Sequence, residues 1–205
     1  MKIELKYGRE GLLVDLADDL DVTVIRKPTM PVIEDSETAV VQALDNPVGT
    51  PPLRALAETA TSATIAICDI TRPVPNGLFL RPMIEQLIGG GISADAITVI
   101  VATGLHRPNL GAELEELIGD AWVLREVKVV NHYARDDDAH VLVGKTKTRG
   151  SIIRLDRRFV DADLRIVTGL VEPHFMAGYS GGRKVIAPGL AHAETITTFH
   201  NARFM

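Results

Sequence analysis

From residue 64 onward the chain alternates short uncharged runs with segments whose apolar residues recur every three or four positions. Thr64–Ile70, Ile97–Ala102, Val127–Asn131 and Leu164–Thr168 read as strands, and Ile97–Ala102 carries no charge, as a strand buried on both faces requires. Between the first two lies Phe79–Ile88, with Leu80, Ile84, Leu87 and Ile88 on one helical face and Gly89-Gly90-Gly91 as its terminator. Ala112–Ile118 reads as a second, shorter helix. Strand, helix, strand in repetition predicts an α/β fold: a Rossmann-like, mostly parallel sheet with helices on both faces.

The flanks are different. Ile3–Tyr7, Gly11–Leu16 and Val22–Arg26 read as short antiparallel strands, the first alternating charged and apolar residues, and Pro28 and Pro31 close that region. A helix is predicted from Ser36 to Leu44, stopped by Asn46-Pro47, and another over Pro52–Ala60. Thr195–Phe199 reads as a helix ending in His200, whereas Ser151–Asp163 shows no clear period.

Composition narrows the field. At 205 residues one domain is expected, a single α/β domain over residues 1–205. Hydrophobic residues at 46% and charged residues at 24% exclude a disordered chain, and only 4% aromatics leaves the core to Val, Ile, Leu and Ala. A net charge of -5 gives no basic excess for a nucleic-acid backbone. The longest apolar stretch, 96–105, falls far short of the roughly 18 residues of a membrane span. The single cysteine, Cys68, and the lack of an apolar leader fit a soluble, cytoplasmic protein in a reducing compartment.

Open parallel sheets bind ligands beyond the carboxyl ends of their strands. The four strand ends here lead into Asp69-Ile70-Thr71-Arg72, Thr103-Gly104-Leu105-His106-Arg107, His132-Tyr133-Ala134-Arg135 and Gly169-Leu170-Val171-Glu172-Pro173-His174. Ordinary solvated loops are poorer in His and Arg, so this rim is the candidate site. Bland readings stand beside it. Asp69 could cap the turn before Pro73, Arg72 could pair with Asp69, and His106, His132 and His174 could be structural. His140 and His192 read as surface residues, and Asp136-Asp137-Asp138 as a solvated turn.

A second unusual segment is Gly178-Tyr179-Ser180-Gly181-Gly182-Arg183-Lys184. Its glycines, Ser180 and Arg183 could cradle a phosphate ahead of a helix, or simply form a tight turn. It fails the Walker A pattern, because Arg183 stands where Gly is needed and Val185 where Ser or Thr should hold magnesium. Beside a cation, Lys184 would hold more neutral, nucleophilic amine; a plain phosphate-contacting lysine is the alternative.

Taken together, Asp69-x-Thr71-Arg72-Pro73-x-Pro75, Ala102-Thr103-Gly104-x-His106-Arg107-Pro108 and Glu172-x-His174-Phe175-x-Ala177-Gly178-x-Ser180-Gly181-Gly182-Arg183-Lys184, with Pro188-Gly189 and His200, resemble the nickel-pincer lactate racemase family over residues 39–201. The resemblance implies racemisation or epimerisation of a small-molecule 2-hydroxy acid through a nickel-pincer nucleotide, a pyridinium mononucleotide whose two sulfurs and one carbon hold nickel. His200 would be the protein's nickel ligand, and Lys184 would carry the cofactor. His106 and His174 would be the paired acid–base residues and Arg72 the clamp on the substrate carboxylate. Asp69 and Thr71 would contact cofactor or orient Arg72, and Ser180, Gly181, Gly182 and Arg183 would hold the cofactor phosphate. The family's enzymes are about twice this long, so the resemblance also implies a missing C-terminal domain that completes the substrate pocket. Weak or absent turnover by this chain alone, and an exposed apolar surface favouring a homo-oligomer, are expected. Two other functions compete: a phosphorylated-metabolite or nucleotide-binding α/β module without chemistry, and a metal-dependent hydrolase using the rim histidines and Asp69.

Overall fold

The computed structural model describes residues 1–202, which divide into two compact units, 1–34 and 35–202. In the first unit, β1 (Lys2–Leu5) and β2 (Leu12–Asp15) form an antiparallel hairpin. Residues 22–26, predicted as a third strand, join no strand among the described residues and lie mostly exposed before Pro28 and Pro31. β-branched residues alone do not make a strand when no neighbouring edge accepts their backbone groups.

The second unit runs α1 (Ser36–Asp45), α2 (Leu53–Ala57), β3 (Ala63–Cys68), α3 (Asn76–Gly89), β4 (Ile97–Ala102), α4 (Ala112–Ile118), α5 (Ala121–Glu126) and β5 (Lys128–Asn131). A hairpin of β6 (His140–Lys145) and β7 (Ile152–Asp156) follows, then α6 (Arg157–Val160) and β8 (Leu164–Val167). The chain continues through β9 (Pro173–His174), β10 (Gly178–Tyr179), α7 (Arg183–Ile186) and α8 (Ala193–Phe199). Four strands make one parallel sheet in the order β5-β4-β3-β8.

Side-chain alternation along these strands builds two cores. Ile65, Ile67, Val99 and Val101 face Leu80, Ile84, Leu87 and Ile118 of the α1–α5 layer. Ala66 and Ile100 face the other way, onto Phe159 of α6, Val185 of α7 and Leu190. Helices therefore cover both faces, as the periodicity predicts. The order reverses at β3: the chain steps outward through β4 and β5, then crosses back to place β8 on the other side of β3. The crevice opens at that reversal.

A buried histidine cluster ties the last helix to the sheet. His132, His140 and His192 are all buried, so His140 and His192 are not the surface residues the sequence suggested. His140 Nδ1 lies 2.6 Å from the Asp136 carbonyl, which can only accept, so Nδ1 carries the proton. His140 Nε2 must then accept from His132 Nε2, 3.0 Å away. His192 packs edge-on against His140, and its Nδ1 accepts from the Glu194 N–H to cap α8. No surface signal in the sequence marks these contacts, because the three residues come from the β5 end, from β6 and from the α8 cap.

Burial drops the His132 pKa to about 4, against an ordinary 6.5. Folding therefore holds it neutral, and the stability this carries is intact above pH 6.5 and lost as pH falls toward 4. The full difference is roughly 3 kcal/mol. In urea titrations from pH 7 to 4.5, His132→Gln should be less stable than the parent at pH 7 and should lose stability less steeply below pH 6.5. An identical slope in both proteins would contradict this assignment.

Candidate functional site

A cleft of about 390 Å³ opens at the carboxyl ends of β3, β4 and β8. His106, His174, His200 and Lys184 all line it, together with Asp69, Thr71 and Arg72. The predicted rim is thus formed by three strand ends rather than four. The β5 end sends His132 into the interior, where the Thr103 hydroxyl donates to its carbonyl at 2.7 Å.

Asp69 follows β3 and is buried. Its Oδ1 accepts from the Thr71 hydroxyl at 2.6 Å and from the Thr71 N–H at 3.3 Å, which closes the turn. Its Oδ2 lies 2.5 Å from His106 Nδ1, on the loop after β4. A carboxylate accepts, so Nδ1 carries the proton and Nε2 of His106 is left with its lone pair. Both oxygens are engaged, and no ion pair to Arg72 occurs among the described residues. Arg72 instead leans on Thr71, at 3.3 Å from its carbonyl and 3.4 Å from its hydroxyl, and stays half-buried at the cleft wall. The guanidinium therefore keeps donors for an incoming anion.

The loop bearing His106 is shaped by residues that carry no chemistry. Asn109 and Asn131 exchange backbone and side-chain bonds at 2.8 and 2.9 Å. Arg107 forms a two-pronged pair with Glu113 at 2.6 and 2.7 Å, so this rim arginine is structural. That pairing holds the Glu113 carboxyl at about 2.

The glycine-rich segment passes over the end of β8. Ser180 is buried; its hydroxyl donates to the Leu170 carbonyl at 2.6 Å and accepts from the Glu172 N–H at 3.0 Å. The sequence offered Ser180 as an anion donor, and the fold gives that hydroxyl to pinning 170–172. Gly181 has φ +71, and a Cβ there would sit 3.0 Å from the Leu170 carbonyl. Gly182 and Arg183 remain exposed. Beyond them a second depression of about 590 Å³ shares Lys184, Met176 and His200 with the first and is walled by Tyr179, Arg183 and Phe199.

Lys184 opens onto the cleft with its pKa lowered, first by burial and then by the Arg72 cation. The depressing cation is thus Arg72, from another loop, and not the adjacent Arg183 that sequence proximity suggested. The thiol of Cys68, on the same cleft, is pushed up by burial. His200 Nδ1 lies 3.2 Å from the Ile196 carbonyl one turn back on α8, which fixes Nδ1 as the donor and leaves Nε2 open. Among the described residues no group of three or more His, Cys, Asp or Glu is arranged to hold a metal.

Comparison with known proteins gives the same direction. The profile of the family described as lactate racemase N-terminal domain matches residues 7–205. A lactate racemase of Thermoanaerobacterium thermosaccharolyticum is 35% identical over 205 residues, covering 99% of this chain and 47% of the relative. One from Lactiplantibacillus plantarum is 37% identical over 206 residues, covering 99% and 48%. The solved lactate racemase apoprotein of the first organism superposes with a TM-score of 0.84 at 33% identity, over 100% of this chain and 47% of that one. A protein from Thermotoga maritima superposes with a TM-score of 0.63 at 25% identity, over 80% and 40%. The chain spans about half the length of the curated relatives it matches. No helix among the described residues is long and apolar enough to cross a membrane.

The lower wall of the cleft depends on Gly189. A Cβ there would fall 2.2 Å from the Val185 carbonyl and 2.9 Å from the Ala102 Cβ. Gly189→Ala should lower stability by about 1–3 kcal/mol, read as a drop in thermal midpoint. A midpoint equal to the parent's would mean that α7 and β4 are not in this contact.

Proposed function

Since this chain belongs to the lactate racemase N-terminal domain family, we propose that it is the cofactor-binding half of a 2-hydroxy-acid racemase or epimerase working through a nickel-pincer nucleotide. One observation supports this above all: an amine of lowered basicity and three imidazoles from separate segments converge on one cleft.

The residues fit the group. Lys184 has the partly buried, electropositive setting in which a lysine is a nucleophile, suited to a covalent link with the cofactor. His200 offers a single oriented Nε2. One protein ligand suffices when the remaining donors belong to the cofactor, and soft sulfur donors suit nickel. Gly181, Gly182 and Arg183 would face the cofactor phosphate, with Ser180 holding their turn in place, and Asp69 and Thr71 would serve the site by fixing its geometry. When bound, the nucleotide supplies a reversible acceptor for the hydrogen on the substrate's α-carbon.

The chain's own residues handle the carboxylate and the hydroxyl proton. Arg72 binds the substrate carboxylate through donors that Thr71 steadies. His106 takes the hydroxyl proton at Nε2, and Asp69 stabilises the imidazolium that results. His174, on the same cleft, serves the opposite enantiomer. An oxygen-bound proton and a carbon-bound hydrogen are thereby removed by different agents, and the planar 2-keto acid between them loses the stereocentre. Substrate selection, full turnover and any homo-oligomer would also involve the half that the longer relatives possess.

Protein produced together with the enzymes that make the cofactor should contain nickel and show an added mass on Lys184. His200→Ala should reduce nickel retention at least tenfold, read by metal analysis, while His106→Ala should retain nickel. Unchanged nickel in His200→Ala would remove the ligand assignment. Joined to its second half, the His106→Ala and His174→Ala proteins should each lose at least a hundredfold in racemisation. Tight binding of a mononucleotide, indifferent to Lys184→Ala and without racemisation in the completed protein, would instead indicate a binding module.

A further inference from the structure

The two histidines assigned to proton transfer are held in opposite tautomers. His106 donates from Nδ1 to Asp69 and presents a lone pair at Nε2. His174 is the reverse. It ends β9, and the chain turns back at once through 175–177 into β10, with Gly178 opposite His174 in the pairing. In that turn the Met176 N–H and the Ala177 N–H both donate to His174 Nδ1, each at 3.2 Å. A nitrogen that accepts from two backbone donors bears the lone pair, so the ring proton sits on Nε2. Phe175, almost fully exposed, stacks on the ring at 5.1 Å and 15° and covers one of its faces.

We propose that the 175–177 turn is a latch on His174: while it is closed, only His106 can accept a proton, and His174 becomes a base only when its Nδ1 releases Met176 and Ala177. The proton count requires this. To accept at Nε2, His174 must first carry its own proton on Nδ1. With both N–H donors in place, a proton on Nδ1 faces two others. Opening the turn breaks two N–H···N bonds and frees the ring to change tautomer or to hold a second proton. The charged neighbours act in the same sense: burial first, then the cations of Lys184 and Arg72 and the His200 ring, keep His174 from becoming charged. The closed latch makes the two sides of the cleft inequivalent before any substrate binds. Met176 and Ala177 are thus positioning residues that act through His174 by their backbone. This inference rests on the acid–base roles proposed above, but the tautomer itself is independent of them.

The test is long-range proton–nitrogen NMR on the chain labelled with nitrogen-15 histidine, near neutral pH and without cofactor. His106→Gln and His174→Gln identify the two rings by loss of signal. His174 should show an unprotonated Nδ1 and a protonated Nε2, and His106 the opposite pattern. A His174 protonated at Nδ1, or averaging between both forms, would overturn the latch. Ala177→Pro removes one of the two donors and should introduce a measurable share of the Nδ1-protonated form of His174. An unchanged single tautomer in a folded Ala177→Pro protein would also overturn it. Either failure would leave nickel content and Lys184 mass untouched as tests of the racemase reading.

Discussion

The buried carboxylate of Asp69 is the constraint on which the cleft depends. One oxygen closes the turn after β3 and the other reaches the loop after β4, so a single group fixes two rim segments against each other. Burial makes the arrangement rigid, because a carboxylate taken out of water must keep partners for both oxygens. It also makes the chemistry directional. Holding His106 by Nδ1 exposes Nε2, and keeping Asp69 occupied leaves Arg72 without a carboxylate of its own. The guanidinium is then available to a ligand, and its charge contributes to the lowered basicity of Lys184.

Around that centre the fold separates support from chemistry. The α1–α5 layer packs under Ile65, Ile67, Val99 and Val101 and contributes nothing to the cleft walls. The opposite face carries the cleft. There the residues are small or close-packed: Ala66, Ala102, Gly169, Gly189. Small side chains let backbone segments approach, and the approach brings α7 and its lysine over the sheet. The histidine cluster performs the matching task for α8, holding the helix by its cap so that the imidazole at its far end reaches the same space.

The sequence made the sheet legible because burial on two faces leaves an unmistakable run. Ile97–Ala102 is recovered to the residue, Thr64–Ile70 starts one residue late and overruns the observed strand by two, and Leu164–Thr168 overruns by one. The β6–β7 hairpin was not visible, because it alternates poorly, carries an irregularity between Leu142 and Gly144, and exposes Leu142 and Val143. The residues that line the cleft were legible as candidates but not as partners. Asp69 and His106 lie 37 positions apart, and only the parallel register that sets Cys68 beside Ala102 makes them neighbours. For the same reason the sequence could offer Ser180 as a free donor, and could credit Arg183 with an effect on Lys184 that belongs to Arg72.

The crossing that sets β8 against β3 has a temporal side. Ala63 pairs with Leu164, whereas the β3–β4 and β4–β5 pairings join segments about 30 residues apart. Closing so long an excursion costs more entropy and comes later than zipping the nearer neighbours. As the chain emerges, the three strands that serve as platform can organise while the amine and the far imidazoles are still unmade or wandering. Lys184, His174 and His200 all follow β8 in the chain, so their meeting with His106 in one cleft waits on that long crossing.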